Sequence, residues 1–501
     1  SDAGMPEAAA TVIRLSPSGL ERYARCPFAH FVAYGLRPAE SRTYEIGPRE
    51  RGDLLHKVLM GFSKELTVPG VPVTGDGSKW MSVDREGCKM IVDGIFSRLM
   101  ESPGDRDRAF AGIFKQGRLE EYRTERIKSA AYMAAWMIAE QVKAGIIDAM
   151  FFEERFGHGK NFPPVTRRME DGTEIRIEGQ IDRVDIISGG RVKIIDYKSG
   201  DESFDIEEAR QGWRLQLMLY LEAATAPAAP APTAAQAATA MAAALAGASA
   251  TAVAPATATG AAFAAPAPAA PATERPRRPA GVFYFRIAEP RLDCGAWDMS
   301  GPGMGAERVE KELRKAFRMD GVAVDSQEAL RAIAGTEFDG PHFNRGYSDI
   351  IAVRAGKDEA TGEDVLLKSH PASRKLLDEE EFEQLRKDVG QRVHEFCAAL
   401  ADGVIYAEPK SAKEHSACRF CGYKAICCYD PRAAHGGPGI PGGTGIPGGP
   451  GIAGGPSIVG DHGIVGGHGS HGIPAGTGGS GNSPGGPGGQ ADSIDISIDI
   501  K

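Results

Sequence analysis

Between residues 11 and 66 the apolar positions recur at helical spacing. Leu20, Tyr23, Ala24, Phe28, Phe31 and Val32 form one set; Leu54, Leu55, Val58, Leu59 and Phe62 form another. Ser16-Pro17-Ser18 supplies a cap and a first-turn proline, so helices are expected across this stretch. Residues 84–147 carry a second helical pattern, with Ile91, Ile95 and Leu99, then Ala131, Ala134, Ala135 and Ile138. The character changes at Ala149. Met150–Phe156 is short and aromatic, and Glu174–Ile187 alternates, with Ile175, Ile177 and Ile181 on one side. Gly189-Gly190 is a hairpin turn signal and Val192–Tyr197 is the returning strand. Ile206–Glu222 reads as one helix and Gly281–Ile287 as a further strand, after which helices resume at 306–319, 326–334 and 378–401. This order predicts an α/β core inside a helical shell.

Two stretches stand outside that pattern. Residues 223–273 hold 29 Ala and 7 Pro with no charge, and residues 436–489 hold 25 Gly in 54 positions. Neither has the large apolar side chains that offset ordering entropy. The expected organisation is a flexible N-terminus (1–10), a globular domain (11–222 and 274–431), an Ala/Pro-rich insertion (223–273) and a Gly-rich tail (432–501). From Gly436 to Ser483 a glycine stands at every third position except Ser457 and Ala475, a collagen-like pattern. The run is short, interrupted and poor in imino acids, which favours a flexible tail.

Charge and cysteine narrow the class. The formal net charge of −9 excludes a histone-like coat on DNA but not a local basic groove. Eight cysteines in 501 residues are too few for a disulfide scaffold. No secretory signal opens the chain. The best membrane candidate, Thr233–Ala254, is mostly alanine and weakly apolar, so no membrane partner is expected and the compartment reads as cytoplasmic. The chain starts with Ser rather than Met, as a fragment or a processed chain would.

The candidate chemistry lies in Gly179-Gln-Ile-Asp182-Arg-Val-Asp185 and Ile194-Ile-Asp196-Tyr-Lys198-Ser-Gly200. Asp196 and Lys198 are two apart on a strand and share a face. A two-residue turn at Gly189-Gly190 would pair Asp182 with Tyr197, facing away from Asp196. A one-residue bulge between Ile181 and Val184 would bring the two carboxylates together, and that bulge is expected. Two carboxylates beside a lysine suit phosphodiester hydrolysis: hard oxygen ligands hold Mg²⁺ or Mn²⁺, and the ammonium stabilises developing charge. An isolated Asp-x-Lys is usually a weak surface ion pair, but the Ile194-Ile195 run and the upstream Gly-x-Ile-Asp argue for a site.

Gly-x-Ile-Asp followed by Asp-Tyr-Lys-Ser-Gly resembles the PD-(D/E)XK nuclease superfamily, in its RecB-like branch. The resemblance implies a restriction-endonuclease-like core, a mixed central sheet flanked by helices. Gln216 and Tyr220, at i and i+4, match the branch's downstream helix motif and would position the DNA strand or the water. His56 matches its upstream histidine, which implies a metal set of His56, Asp182, Asp196 and the Tyr197 carbonyl. Cys26-Pro-Phe near the start and Cys418-x2-Cys421-x5-Cys427 near the end resemble the iron–sulfur staple of AddB nuclease domains. That implies a [4Fe–4S] cluster on Cys26, Cys418, Cys421 and Cys427, joining the two parts of the domain. Zinc is the alternative for the C-x2-C pair, and Cys428 competes with Cys427. Cys88, Cys294 and Cys397 read as ordinary thiols.

The expected activity is that of a metal-dependent DNA exonuclease domain, resecting double-strand-break ends beside an AddA-type helicase–nuclease. A stand-alone relative, as in CRISPR spacer acquisition, and a nuclease-dead DNA-binding scaffold are the alternatives. No G-x4-G-K-[ST] occurs, so no ATP site is expected. Arg14, Arg22, Arg25, Arg42, Arg49 and Arg51, with Arg275, Arg277 and Arg278, are candidates for a phosphate-tracking groove or for solvated faces.

Overall fold

The computed structural model describes residues 11–38, 46–101, 108–200, 202–227, 277–287, 304–335, 347–358, 361–368, 375–412, 415–427 and 429. The expected flexible N-terminus (1–10), nearly all of the Ala/Pro insertion and the Gly-rich tail lie outside the described residues, as do Cys294, Cys428, Arg42 and Arg275.

Up to residue 377 the strands in chain order are β1 (Val12–Leu15), β2 (Ile147–Phe156), β3 (Val165–Arg168), β4 (Glu174–Ile177), β5 (Gly179–Ile187), β6 (Arg191–Lys198), β7 (Arg278–Arg286), β8 (Asp320–Val324), β9 (Val353–Lys357), β10 (Asp364–Lys368) and β11 (Leu376–Leu377). Six form the central mixed sheet, in the order β11-β8-β7-β6-β5-β2. The pairs β2·β5, β5·β6 and β7·β8 are antiparallel, whereas β6·β7 and β8·β11 are parallel. A parallel neighbour needs a crossover, and helix Gln216–Thr225 supplies it between β6 and β7.

Both sheet faces are covered. One packs Ile187, Ile195, Tyr197 and Phe283 against Leu55, Val58, Leu59 and Phe62 of helix Pro48–Leu66 and against helix Arg118–Lys143. The other packs Val184, Val192, Ile194 and Tyr284 against Leu217, Leu221, Phe382 and Leu385. Every residue of β6 except Lys198 is therefore buried. A strand covered on both sides reads as a continuous apolar run, as Val192–Tyr197 does.

Several expectations need correction. Residues 12–15 are a strand, not helix: β1 pairs in parallel with β4, and four alternating residues are too few to show a period. Glu174–Ile187 is two strands in two sheets: Glu174–Ile177 pairs with β1 and β3, the Glu178 N–H to the Leu15 carbonyl closing the β1 ladder, and Gly179–Ile187 pairs with β2 and β6. The expected helix 206–222 is two helices, Ile206–Arg210 and Gln216–Thr225. Gly212 breaks it, at φ +90°, where a Cβ would sit 2.3 Å from the Phe396 ring. Strands β8 to β11 were not expected; they are short and lie among helical patterns.

Candidate active site

The hairpin β5–β6 carries the two aspartates. Its pairs run from Ile187↔Arg191 to Arg183↔Ile195, closed by three residues, Ser188–Gly190. Gly189 (φ +79°) and Gly190 (φ +70°) take the left-handed conformations that this turn requires. Continued one step, the register sets Asp182 opposite Asp196. The expected bulge between Ile181 and Val184 is absent: β5 pairs with β2 through Arg183 and Ile181 without a shift. The two-residue turn assumed for it was one residue short, and the third turn residue supplies the offset.

Asp182 is fixed by its backbone neighbour, accepting from the Tyr197 N–H at 2.7 Å. His56, from helix Pro48–Leu66, reaches the same point. Its Nδ1 lies 3.6 Å from Asp182 Oδ1 and 3.6 Å from Glu153 Oε1, and its Nε2 lies 3.1 Å from the Tyr197 carbonyl oxygen. His56, Glu153 and Asp182 each present a ligand atom within 4.8 Å of the others. Of the expected set, His56, Asp182 and the Tyr197 carbonyl lie together, and Glu153 joins them; Asp196 is not in the group within 4.8 Å and contacts Lys198 instead.

Glu153 was not among the residues singled out in the sequence. It stands in β2 between Phe152, opposite Arg183, and Glu154, opposite Ile181, so it is level with Asp182. Its φ of +51° is a left-handed conformation that a glutamate rarely adopts, and such strain costs of order 1–3 kcal/mol. Gln180 Nε2 donates to its carboxylate. The available signal was an acidic residue interrupting an aromatic strand; only the pairing of β2 with β5 gives it meaning.

Lys198 Nζ lies 2.6 Å from Asp196 Oδ2 and donates to Gln216 Oε1 at 2.9 Å. Gln216 Nε2 donates in turn to Tyr220 Oη at 2.7 Å. The i, i+4 pair thus acts on the lysine, holding its ammonium in place. Lys198 also sits over the Tyr284 ring, 5.3 Å from its centroid.

These groups perturb one another. Burial pulls His56 down, but Glu153, Asp182 and Asp196 outweigh it and lift the imidazole to about 9. Burial and the Asp196 charge raise Asp182 to about 7, against the pull of His56 and the Tyr197 N–H. Burial raises Asp196 as well, partly countered by Lys198. Burial lowers Lys198, and the nearby carboxylates more than restore it. Carboxylates held above their usual range at neutral pH have a deficit of positive charge that a cation would fill.

Cys26 is buried at the end of helix Pro17–Arg25. Lys410 N–H donates to the Arg25 carbonyl at 2.9 Å, Phe28 N–H to the Tyr406 carbonyl at 3.1 Å, and Ala417 N–H to the Lys410 carbonyl at 3.0 Å. This ladder carries the chain from the neighbour of Cys26 to the neighbour of Cys418. The next turns follow at once, with Cys421 N–H bonded to the Cys418 carbonyl and Cys427 N–H to the Tyr423 carbonyl. Among the described residues, no three of the four sulfurs lie within 4.8 Å of one another. Cys88 and Cys397 are fully buried thiols, pushed up to about 11 mainly by burial.

The arginines divide. Arg25 stacks on Trp213 at 5.6 Å and Arg49 pairs with Asp53 at 4.0 Å. Arg277 lies over the Phe162 ring at 5.5 Å and donates to the Ala224 carbonyl at 3.3 Å, an internal role rather than a groove. Among the described residues no helix is long and apolar enough to cross a membrane.

A mixed sheet flanked by helices, with a hairpin presenting Asp…Asp-x-Lys to a helical histidine, defines a metal-dependent nuclease fold. The chain belongs to the PD-(D/E)XK nuclease superfamily, whose sequence pattern matches residues 14–428. Members of that superfamily use divalent metals, and the His/Glu/Asp group fits one. The chain is also similar to proteins named as the B-type subunit of an ATP-dependent helicase/deoxyribonuclease. That of Thermoanaerobacter sp. (strain X514) is 28% identical over 425 residues, covering 83% of this chain and 30% of the relative. That of Clostridioides difficile (strain 630) is 28% identical over 423 residues with the same coverage. The chain thus spans less than a third of the length of these curated relatives.

Proposed function

We propose that this chain is a Mg²⁺- or Mn²⁺-dependent DNA exonuclease domain, working beside an AddA-type helicase–nuclease in the cytoplasm to resect broken DNA ends for recombination repair. The observation that carries the reading is the meeting of His56, Glu153 and Asp182 across the hairpin from the Asp196–Lys198 pair. His56, Asp182, Asp196 and the Tyr197 carbonyl would hold the ion, with Glu153 beside them. When bound, the ion supplies a water of lowered pKa and neutralises phosphate charge. Asp182 and Asp196 set the negative site that receives it. Lys198 offers its ammonium to the oxyanion that develops at phosphorus. Gln216 and Tyr220 hold that ammonium in direction, so little reorganisation is needed during the reaction. The names of the similar proteins support the DNA substrate and the helicase partner. Wild type should hydrolyse end-labelled DNA in Mg²⁺ and Asp196→Ala should not; equal activity in the two would overturn the reading.

The ligands must lose protons to bind a metal. His56, at about 9, still carries its proton at neutral pH, whereas Asp182, at about 7, is half ionised there. Mn²⁺ binding near pH 8 is therefore expected to release about one proton, and affinity to fall further as pH drops below about 7. Calorimetry in two buffers of different ionisation enthalpy measures this. Binding without proton release, equally tight on both sides of neutrality, would remove His56 and Asp182 from the ligand set.

We propose further that Cys26, Cys418, Cys421 and Cys427 hold a [4Fe–4S] cluster. The backbone ladder from Arg25 through Lys410 to Ala417 supports a staple at this corner. An anaerobic preparation should be brown, with iron and sulfide in equal amounts, and Cys418→Ser should lose both. A colourless, zinc-loaded protein would overturn the assignment.

A further inference from the structure

The first turn of helix Gln216–Thr225 begins beside a carboxylate that the site above does not use. Glu21, in helix Pro17–Arg25, accepts from the Gln216 N–H through Oε1 at 2.9 Å, and its side chain is 14% exposed. Its second oxygen, Oε2, lies 4.0 Å from Arg25 Nη2, which itself donates to the Trp213 carbonyl at 3.4 Å. An acidic side chain bonded to an open N–H of a helix's first turn satisfies an orphan donor and fixes where that turn starts. Here the residue that it fixes is Gln216, whose Oε1 accepts from Lys198.

We propose that Glu21 is a positioning residue for the nuclease reaction, setting Lys198 through Gln216. This rests on the nuclease reading. Three bonds form the relay: Glu21 to the Gln216 N–H, Gln216 Oε1 to Lys198, and Lys198 to Asp196. The same helix ends at Arg25 and is capped at Cys26, and the Arg25 carbonyl takes the Lys410 N–H. Glu21 therefore ties the cysteine corner to the lysine of the site. Without it, the Gln216 N–H loses its acceptor, and the turn that carries the lysine's acceptor gains freedom.

The role needs an acceptor oxygen, not a charge. In the full chain, Glu21→Leu is expected to lower kcat about tenfold with the KM for DNA unchanged, whereas Glu21→Gln, which keeps the oxygen, stays within about twofold of wild type. In a Gln216→Ala background Glu21→Leu should cost less than about twofold, since the relay is already cut. Equal losses in Glu21→Leu and Glu21→Gln, or full additivity with Gln216→Ala, would overturn the proposal. A second readout does not need the activity. Acetic anhydride labelling of Lys198, followed by mass spectrometry, should run several-fold faster in Glu21→Leu than in wild type or Glu21→Gln. Unchanged labelling would overturn the relay even if the chain hydrolysed no DNA; altered labelling in a protein without metal-dependent hydrolysis would uphold the relay and remove the nuclease reading instead.

Discussion

Replacing Asp196 with alanine is expected to lower metal-dependent DNA hydrolysis by at least about a thousandfold, without unfolding the protein. The size follows from what one side chain does. Asp196 faces Asp182 across the hairpin, lies 2.6 Å from Lys198 and is almost completely buried. Its loss removes an oxygen proposed for the metal site and takes the anion from beside the Lys198 ammonium. The fold should tolerate the change, because burial already works against this carboxylate's charge. Thermal melting of wild type and variant would therefore differ little while their turnover of end-labelled DNA differs by orders of magnitude. Activity within tenfold of wild type would mean a contaminating nuclease or a different site. A wild type that binds DNA and never cuts it would mean a scaffold.

A second large effect is expected in stability rather than in turnover. On the other face of the hairpin, Arg183, Asp185 and Lys193 are each fully buried. Arg183 donates to Asp185 through Nε at 2.7 Å and Nη2 at 2.8 Å, and Lys193 Nζ lies 2.8 Å from Asp185 Oδ2. Burial works against the Asp185 charge, but Arg183 and Lys193 outweigh it and hold the carboxyl below its usual range; burial pushes Lys193 down. Asp185→Ala strands two cations in the interior and should cost about 3–5 kcal/mol. Denaturant unfolding checks this. The triple replacement Arg183→Met, Asp185→Leu, Lys193→Met should recover most of the loss, since an apolar core needs no counter-charge. A single Asp185→Ala variant as stable as wild type would show that water reaches these groups.

The same triad explains where the sequence was hard to read. Arg183 and Asp185 stand on a buried face with Ile187, so polarity along β5 does not report exposure. The alternation slips between Ile181 and Val184, which share one core cluster, and the parity of Asp182, Val184 and Ile186 suggests a bulge; the ladder to β2 nevertheless passes without a register shift. The Asp196–Lys198 pair was legible because the two residues lie two apart on one strand. His56 and the Gln216–Tyr220 pair were found through the family pattern, and the structure gives the pair a specific task, holding Lys198. Glu153 and Glu21 were out of reach for a physical reason. Each becomes meaningful through a contact far along the chain, Glu153 with the hairpin and Glu21 with Gln216, and no local period records such pairings. Helix Pro48–Leu66 was clear from its apolar stripe, whereas β1 and β8 were too short to display one.

The Arg277–Ala224 contact bears on how much chain the domain can carry between helix Gln216–Thr225 and β7. The bond from the Arg277 guanidinium to the Ala224 carbonyl brings together the two points where the alanine-rich segment departs and returns. A segment whose two feet already touch lengthens at little thermodynamic expense, since each doubling adds only about 0.6 kcal/mol of closure entropy. Such a junction works as a permissive port in the architecture. Sequence can accumulate there, or be trimmed away, while the sheet beneath keeps its register and the strand that follows, β7, still lines up beside β6.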